Sequence, residues 1–183
     1  MPVVYCISHK EDVDGISSAA LIKAVFDTQQ TILVDYANLV PELAKLGATV
    51  SNKDKLFVCD LGLSKKNEQR FLEIMEGIVS RGCEVTYIDH HDLAREIASA
   101  LKKIGVTLVH TAEECTSIQI YSKFKKKLPS HAAFFAAAGA LTDYMESQPM
   151  ALSIVSRFDR QFLMLESAAL SYIISANQNN DKF

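Results

Sequence analysis

The hydrophobic and polar positions change their period along the chain. In the first two-thirds, short apolar runs rich in β-branched residues predict five strands, at residues 3–8, 31–37, 55–62, 83–91 and 106–111. Segments with helical spacing lie between them, at residues 16–28, 40–48, 66–82 and 92–105. Gly82 and Gly105 end the last two of these segments, where a helix-terminating glycine is expected. Strands that alternate with helices predict a parallel sheet with right-handed crossovers.

The last third of the chain is helical in period. Residues 115–128, 130–145 and 150–177 all have helical spacing, and Pro129 and Pro149 separate them. We therefore predict an α/β fold with a five-stranded, mainly parallel sheet flanked by helices and followed by a C-terminal helical layer. The sheet part is expected over residues 1–112 and the helical part over residues 113–183.

The composition is typical of one domain with a proper core. The chain has 183 residues, of which 49% are hydrophobic. Its formal net charge is −3, and this charge excludes a global basic field of the kind that binds a nucleic-acid backbone. The four cysteines are far apart and form no C-x-x-C pair, which is typical of a reducing compartment. The N-terminus lacks a signal-peptide pattern, and no apolar run reaches about 18 residues. We expect a cytoplasmic protein without a membrane span.

Acids and histidines follow the ends of three predicted strands. These residues are Asp12 and Asp14 after the first strand, Asp60 after the third, and Asp89, His90 and His91 after the fourth. Ligands bind at the carboxyl ends of strands in open parallel sheets. Carboxylates that converge there either raise each other's pKa or bind a cation. Added histidines favour Mn, Fe, Co or Zn over Mg or Ca.

Each of these residues also has an ordinary structural interpretation when taken alone. Asp60 is as suited to a turn or a helix N-cap as to a metal site, and D-V-D-G is a frequent loop. The joint occurrence at three strand ends favours a shared site. Asp143 ends a nearly uncharged helix, in which Gly139 permits close packing that could aim Asp143 at this cluster. We expect no role for His110 and His131.

Four motifs, taken in order, resemble those of the DHH phosphoesterase superfamily. They are H-x-x-D-x-D-G from His9, V-C-D-L-G around Asp60, D-H-H from Asp89, and G-A-L-T-D ending at Asp143. The superfamily includes RecJ exonucleases, family II pyrophosphatases, nanoRNase/pAp phosphatases and cyclic-dinucleotide phosphodiesterases. The start of the chain looks most like the archaeal RecJ-like branch.

The resemblance implies a site for two divalent ions, with Mn most consistent and Mg or Co as alternatives. The implied metal ligands are His9, Asp12, Asp14, Asp60, His90 and Asp143. The implied catalytic residues are Asp60, which would bridge the ions, together with His90 and His91.

The resemblance also assigns supporting roles around the ions. His91 would either lie just outside the ligand set or meet the substrate phosphate, and Asp89 would orient its neighbours by hydrogen bonding from outside the ligand set. Many members have three residues between the first-motif histidine and the first acid, whereas this chain has two, so Glu11 is an alternative ligand to His9.

The implied activity is metal-dependent hydrolysis of phosphodiester bonds, in single-stranded DNA or RNA or in short oligonucleotides. The alternative substrates are pAp or nucleotides, pyrophosphate, and cyclic dinucleotides. A non-catalytic scaffold or binding module with a partner in a replication complex is the alternative of another class, and the intact acids argue against it. A nucleotide-binding domain would need a glycine-rich first turn, and the turn here is acidic.

Members of the superfamily normally continue into a C-terminal substrate-binding domain with a glycine-rich motif. Nothing like G-G-G-H occurs here, so we expect residues 1–183 to form a single DHH catalytic domain without that second domain. The basic run Lys123 to Lys127 fits either a solvated helix end or a contact with a single-stranded backbone.

Overall fold

The computed structural model describes residues 2–178 and 180. The strands are β1 (Val4–His9), β2 (Gln30–Val34), β3 (Lys55–Cys59), β4 (Glu84–Asp89) and β5 (Thr107–His110). The helices in the described residues are α1 (Val13–Phe26), α2 (Leu39–Thr49), α3 (Glu68–Ser80), α4 (Arg95–Lys103), α5 (Thr116–Phe124), α6 (Ala132–Thr142), α7 (Pro149–Val155) and α8 (Arg160–Asn177). The predicted α/β fold with its C-terminal helices is confirmed.

The five strands form one sheet in the order β2-β1-β3-β4-β5, and every neighbouring pair is parallel. The chain leaves β1 toward one side of the sheet to form β2, and then crosses to the other side to form β3. The strand order therefore reverses between β1 and β3. In open α/β sheets, such a reversal leaves a crevice at the carboxyl ends of the strands, where ligands bind.

Helices cover both faces of the sheet, which explains why its central strands β1, β3 and β4 are mainly apolar. On one face, Cys6, Phe57 and Ile88 pack in a core formed with α1, α5, α6, α7 and α8. On the other face, Ile7, Val58 and their neighbours pack against α2, α3 and α4. Because successive side chains of a strand point to opposite faces, two adjacent apolar residues serve two different cores.

The segment predicted as one helix over residues 150–177 forms two helices. Asp159 lies between α7 and α8, and its Oδ1 accepts a hydrogen bond from the backbone N–H of Phe162 at 2.9 Å. This side chain caps the start of α8 and offers the backbone an alternative to continuing α7. The apolar spacing runs across the break, so periodicity alone does not reveal it.

Among the described residues, none of the helices combines the length and the apolar character that crossing a membrane requires.

Candidate metal centre

The first acid of the candidate centre also begins a helix. Asp12 is the N-cap of α1, with extended backbone angles, and its Oδ1 accepts a hydrogen bond from the N–H of Gly15 at 2.8 Å. This bond satisfies one of the amides that the first turn of a helix leaves free. The second oxygen, Oδ2, lies 3.4 Å from Nε2 of His9. Asp12 therefore fixes the helix with one oxygen and faces the site with the other.

Asp14 lies in the first turn of α1 and is fully buried. Its Oδ2 accepts from the backbone N–H of Thr116 at 2.8 Å, and its Oδ1 accepts from that of Ser117 at 3.0 Å. Both amides belong to the start of α5, where the helix dipole favours a negative charge. The N-terminus of α5 thus stabilises a buried carboxylate at the edge of the sheet.

Asp60 directly follows β3 and is only 1% exposed. Its backbone is left-handed, with φ at 56°, and its N–H donates to the carbonyl of Ile88 at 3.0 Å. Aspartate tolerates this conformation better than most residues, although it carries some strain. Its Oδ1 accepts from the hydroxyl of Thr116 at 3.0 Å. The turn therefore holds the carboxylate in one place beside α5.

His90 lies at the centre of the acids. Its Nε2 is 3.3 Å from Oδ1 of Asp60 and 3.2 Å from Oδ2 of Asp143. Two groups of three residues bring potential ligand atoms within 4.8 Å of one another: Asp14, His90 and Asp143, and Asp60, His90 and His91. His90 belongs to both groups. The start of α1, the segments that follow β3 and β4, and the end of α6 therefore meet at one point.

His9 and Asp12 pair with each other beside these two groups. His9 is 3% exposed, and its Nδ1 is buried with no hydrogen-bond partner among the described residues. Glu11 is the alternative ligand to His9, and its Oε2 lies 3.9 Å from Nε2 of His9. A buried nitrogen without a partner is costly, and the His9 nitrogen that faces the carboxylates of Asp12 and Glu11 is the other one, Nε2.

His91 lies within reach of Asp60 and His90, but both of its ring nitrogens already have partners. Nδ1 is 2.9 Å from Oδ1 of Asp89, and Nε2 is 2.9 Å from the hydroxyl of Tyr36. Asp89 is buried and also accepts from the backbone N–H of His91 at 3.2 Å. The orienting role expected for Asp89 stays a prediction. The expected contact of His91 with a substrate phosphate stays a prediction.

Sequence reasoning missed three residues at this site. Tyr36 follows β2, and applying the strand-end rule to that strand would have found it. Thr116, which binds both Asp14 and Asp60, has no signal beyond its place at the start of α5. We expected no role for His110, but its Nε2 lies 2.6 Å from the backbone carbonyl oxygen of His91. This contact supports the main chain of the D-H-H motif.

The acids of the centre perturb one another strongly. Burial raises the pKa of Asp60 well above its usual range, and the charges of Asp14, Asp12 and Asp143 raise it further. Burial, followed by the charges of Asp14 and Asp12, raises the pKa of Asp143 to about 7. Such a cluster holds either protons or a cation. The mixed set of carboxylate and imidazole donors fits a first-row divalent ion.

The basic run from Lys123 to Lys127 lies at the other end of α5. Lys127 stands over the ring of Phe26, 5.6 Å from its centroid, and Lys123 shares a shallow pocket with Lys55 and Glu84 at the starts of β3 and β4. The run therefore lies near the amino edge of the sheet, about one strand length of 17–20 Å from the carboxyl edge. This position favours the interpretation as a solvated helix end.

The glycine of α6 brings that helix against the acids, and we expect Gly139→Ala to disrupt the centre. An added Cβ would lie 2.6 Å from Oδ1 of Asp14 and would also contact the Ser117 hydroxyl, so the helices must move apart. We expect a loss of about 1–3 kcal/mol in the free energy of unfolding, measured by urea denaturation, together with weaker Mn²⁺ binding.

Gly77→Ala is the matched control, because a Cβ there meets nothing within 4 Å in the middle of α3. It is expected to stabilise the protein by about 0.5–1 kcal/mol. Equal effects of the two substitutions would contradict the close contact of α6 with Asp14.

Comparisons with known proteins give a family and solved structures of similar fold. The family model described as DHH family, N-terminal domain, matches residues 3–146. The crystal structure of an uncharacterized protein from Helicobacter pylori G27 is similar, with a TM-score of 0.59 and 18% identity, over 83% of this chain and 46% of that one. This likeness shows the fold alone, and the chain spans less than half the length of that protein. No curated protein matches the sequence significantly.

Proposed function

This chain belongs to the DHH family, whose members are generally metal-dependent phosphoesterases. On that premise we propose that it hydrolyses phosphodiester bonds in short single-stranded oligonucleotides. The reaction would use two divalent cations, with Mn²⁺ as the first candidate. The observation that supports this proposal most is the convergence of Asp14, Asp60, His90 and Asp143 at the carboxyl ends of the strands. A cluster of buried carboxylates around an imidazole is costly without cations, and it is the donor set that such ions prefer.

The proposed ligand sets follow the placement of the side chains. His9 and Asp12 would hold the first ion, and Asp14, His90 and Asp143 would hold the second. Asp60 would contribute to both. Asp60 and Asp143 each place a carboxylate oxygen close to the same nitrogen of His90, at 3.3 and 3.2 Å. This shared neighbour supports their placement around one ion.

The surrounding residues fix this donor set before any ion binds. The N-terminus of α5 holds the carboxylate of Asp14 through two amides, and the hydroxyl of Thr116 holds that of Asp60. Bound cations would lower the pKa of a water molecule and neutralise charge on the phosphoryl group. Asp89 keeps the ring of His91 in one orientation at the edge of the centre.

The surface beside the centre supports a small substrate. A cleft of about 400 Å³ adjoins His91, and its walls are Tyr36, Gly62, Leu63, Ser64, Asn67 and Asp92. Among the described residues, no lysine or arginine belongs to this lining, whereas a groove for a long nucleic-acid strand is usually positively charged. With the Lys123–Lys127 run at the other edge of the sheet, these features favour short oligonucleotides over long strands.

A substrate screen on the metal-stripped protein, reloaded with Mn²⁺, tests the proposal. The candidates are a short single-stranded oligonucleotide, pAp, pyrophosphate and a cyclic dinucleotide, each compared by kcat/KM. We expect the oligonucleotide to be the best substrate by at least about tenfold, equal to about 1.4 kcal/mol. Preference for another compound would assign the site to that phosphate class. No hydrolysis of any of them, with ions bound, would favour a binding module over an enzyme.

A further inference from the structure

One tyrosine contacts histidines from two different motifs. The ring of Tyr36 stacks on the ring of His9, with centroids 4.3 Å apart and planes inclined by 26°. Its hydroxyl lies 2.9 Å from Nε2 of His91. His9 ends β1 and His91 follows β4, so Tyr36 connects two loops that no neighbouring strand pair joins.

The loop that carries Tyr36 is held in place by its neighbours. Val34 pairs with His9 in the sheet, and the N–H of Lys10 donates to the Val34 carbonyl at 3.0 Å. Asp35 forms an ion pair with Lys10 at 3.1 Å and accepts a hydrogen bond from the backbone N–H of Asn38 at 2.9 Å. These contacts direct the Tyr36 ring to the carboxyl edge of the sheet rather than leaving it on a free loop.

Each histidine ring has few partners besides Tyr36. The Nδ1 of His9 has no hydrogen-bond partner among the described residues, and the other contacts of this imidazole are those of Nε2 with Asp12 and Glu11. The Nδ1 of His91 donates to the carboxylate of Asp89, which can only accept. The hydroxyl of Tyr36 occupies the second nitrogen, and the ring of His91 therefore has a partner on each side.

We propose that Tyr36 is a positioning residue of the candidate centre: its ring orients His9 for the first cation, and its hydroxyl holds the ring of His91 beside Asp60 and His90. This inference rests on the proposed function of the centre. Tyr36 is 40% exposed and lines the cleft beside His91, so it stands where a phosphate ester enters. Residues that orient metal ligands typically change metal affinity or activity by about 10- to 100-fold when removed.

Two substitutions separate the two contacts. Tyr36→Phe removes the hydroxyl and keeps the ring, and Tyr36→Leu removes both the hydroxyl and the aromatic face. Tyr172→Phe is the matched control, because Tyr172 lies on α8 and is 75% exposed. Three quantities are measured for each variant: Mn²⁺ affinity by calorimetry, kcat and KM for a short oligonucleotide, and the ring ¹⁵N chemical shifts of His91 by NMR.

For Tyr36→Phe we expect wild-type Mn²⁺ affinity, a kcat lowered by about 10- to 100-fold with KM less affected, and shifted ¹⁵N signals of His91. For Tyr36→Leu we expect, in addition, a dissociation constant for one of the ions raised by about 10- to 100-fold. Tyr172→Phe is expected to match the wild type in all three quantities.

Unchanged kcat and unchanged His91 signals in Tyr36→Phe would overturn the positioning role, and so would equal Mn²⁺ affinities of Tyr36→Phe and Tyr36→Leu. The NMR readout needs neither hydrolysis nor ions. If the wild-type protein hydrolyses nothing, the proposed function fails, yet the His91 signals still decide whether Tyr36 orients that ring.

Discussion

Asp60→Asn is expected to lower Mn²⁺-dependent hydrolysis on the order of 1,000-fold, equal to about 4 kcal/mol of activation free energy. The substitution keeps the shape of the side chain but removes the charge that would be shared between the two ions. Because Asp60 is buried between His90 and Thr116, no other carboxylate can take its place without moving the turn after β3. The measurement is kcat/KM for a short single-stranded oligonucleotide at saturating Mn²⁺.

Loss of activity in this variant has to be separated from loss of folding. Burial and neighbouring acids raise the pKa of Asp60, so its charge destabilises the metal-free protein at neutral pH. We therefore expect metal-free Asp60→Asn to unfold at the same temperature as the wild type or a higher one. Asp27→Asn, at the exposed left-handed end of α1, is the matched control and should keep full activity. Activity near wild type in Asp60→Asn would contradict the two-metal mechanism.

Divalent cations are expected to stabilise the protein strongly above pH 7 and weakly at pH 5. Asp143 has a pKa raised from 3.8 to about 7, first by burial and then by the charges of Asp14 and Asp12. Below about pH 7 a proton occupies this carboxyl and competes with the cation. A ligand whose free concentration is about 100 times its Kd raises the free energy of unfolding by about 2.7 kcal/mol. For a chain of this size, that is about 5–10 °C in the melting temperature.

The metal-free protein should show the opposite dependence on pH. Between pH 3.8 and about 7, folded Asp143 keeps a proton that the unfolded chain has lost. The free energy of unfolding therefore falls as pH rises through this window and stays low above it. Thermal melts of the metal-free and Mn²⁺-loaded protein at pH 5 and pH 8 measure both effects.

Asp143→Asn provides the control for this pH dependence. The variant should lose most of the Mn²⁺-induced shift in melting temperature and should be at least as stable as the wild type at pH 8 without metal. Melting temperatures that Mn²⁺ raises equally at pH 5 and pH 8, or equally in Asp143→Asn, would contradict the role of this carboxylate.

The sequence predicts most of the fold because the central strands β1, β3 and β4 are covered on both faces and are therefore mainly apolar. Gly82 and Gly105 mark two helix ends, and both adopt positive φ. The break between α7 and α8 was missed because apolar spacing continues through it, and only the capping bond of Asp159 marks it. Short-range side-chain bonds of this kind are weak signals beside a strong periodic pattern.

The candidate site is predictable to the extent that it depends on strand ends. Asp60 and His90 follow their strands directly, and parallel pairing carries them to one edge. The contacts of Asp14 with α5 and of Tyr36 with His91 depend on how distant segments pack, at separations of 102 and 55 residues. No local pattern records such contacts, so the sequence indicates which acids converge but not which groups hold them in place.

The most direct test of the shared two-metal site is the number of Mn²⁺ ions that the metal-stripped protein binds, measured by titration calorimetry at pH 8. We expect two ions per chain for the wild type, with both sites weakened together in Asp60→Asn because one carboxylate serves both. Binding of no ion, or of two ions that Asp60→Asn leaves undisturbed, would contradict a centre built around Asp60.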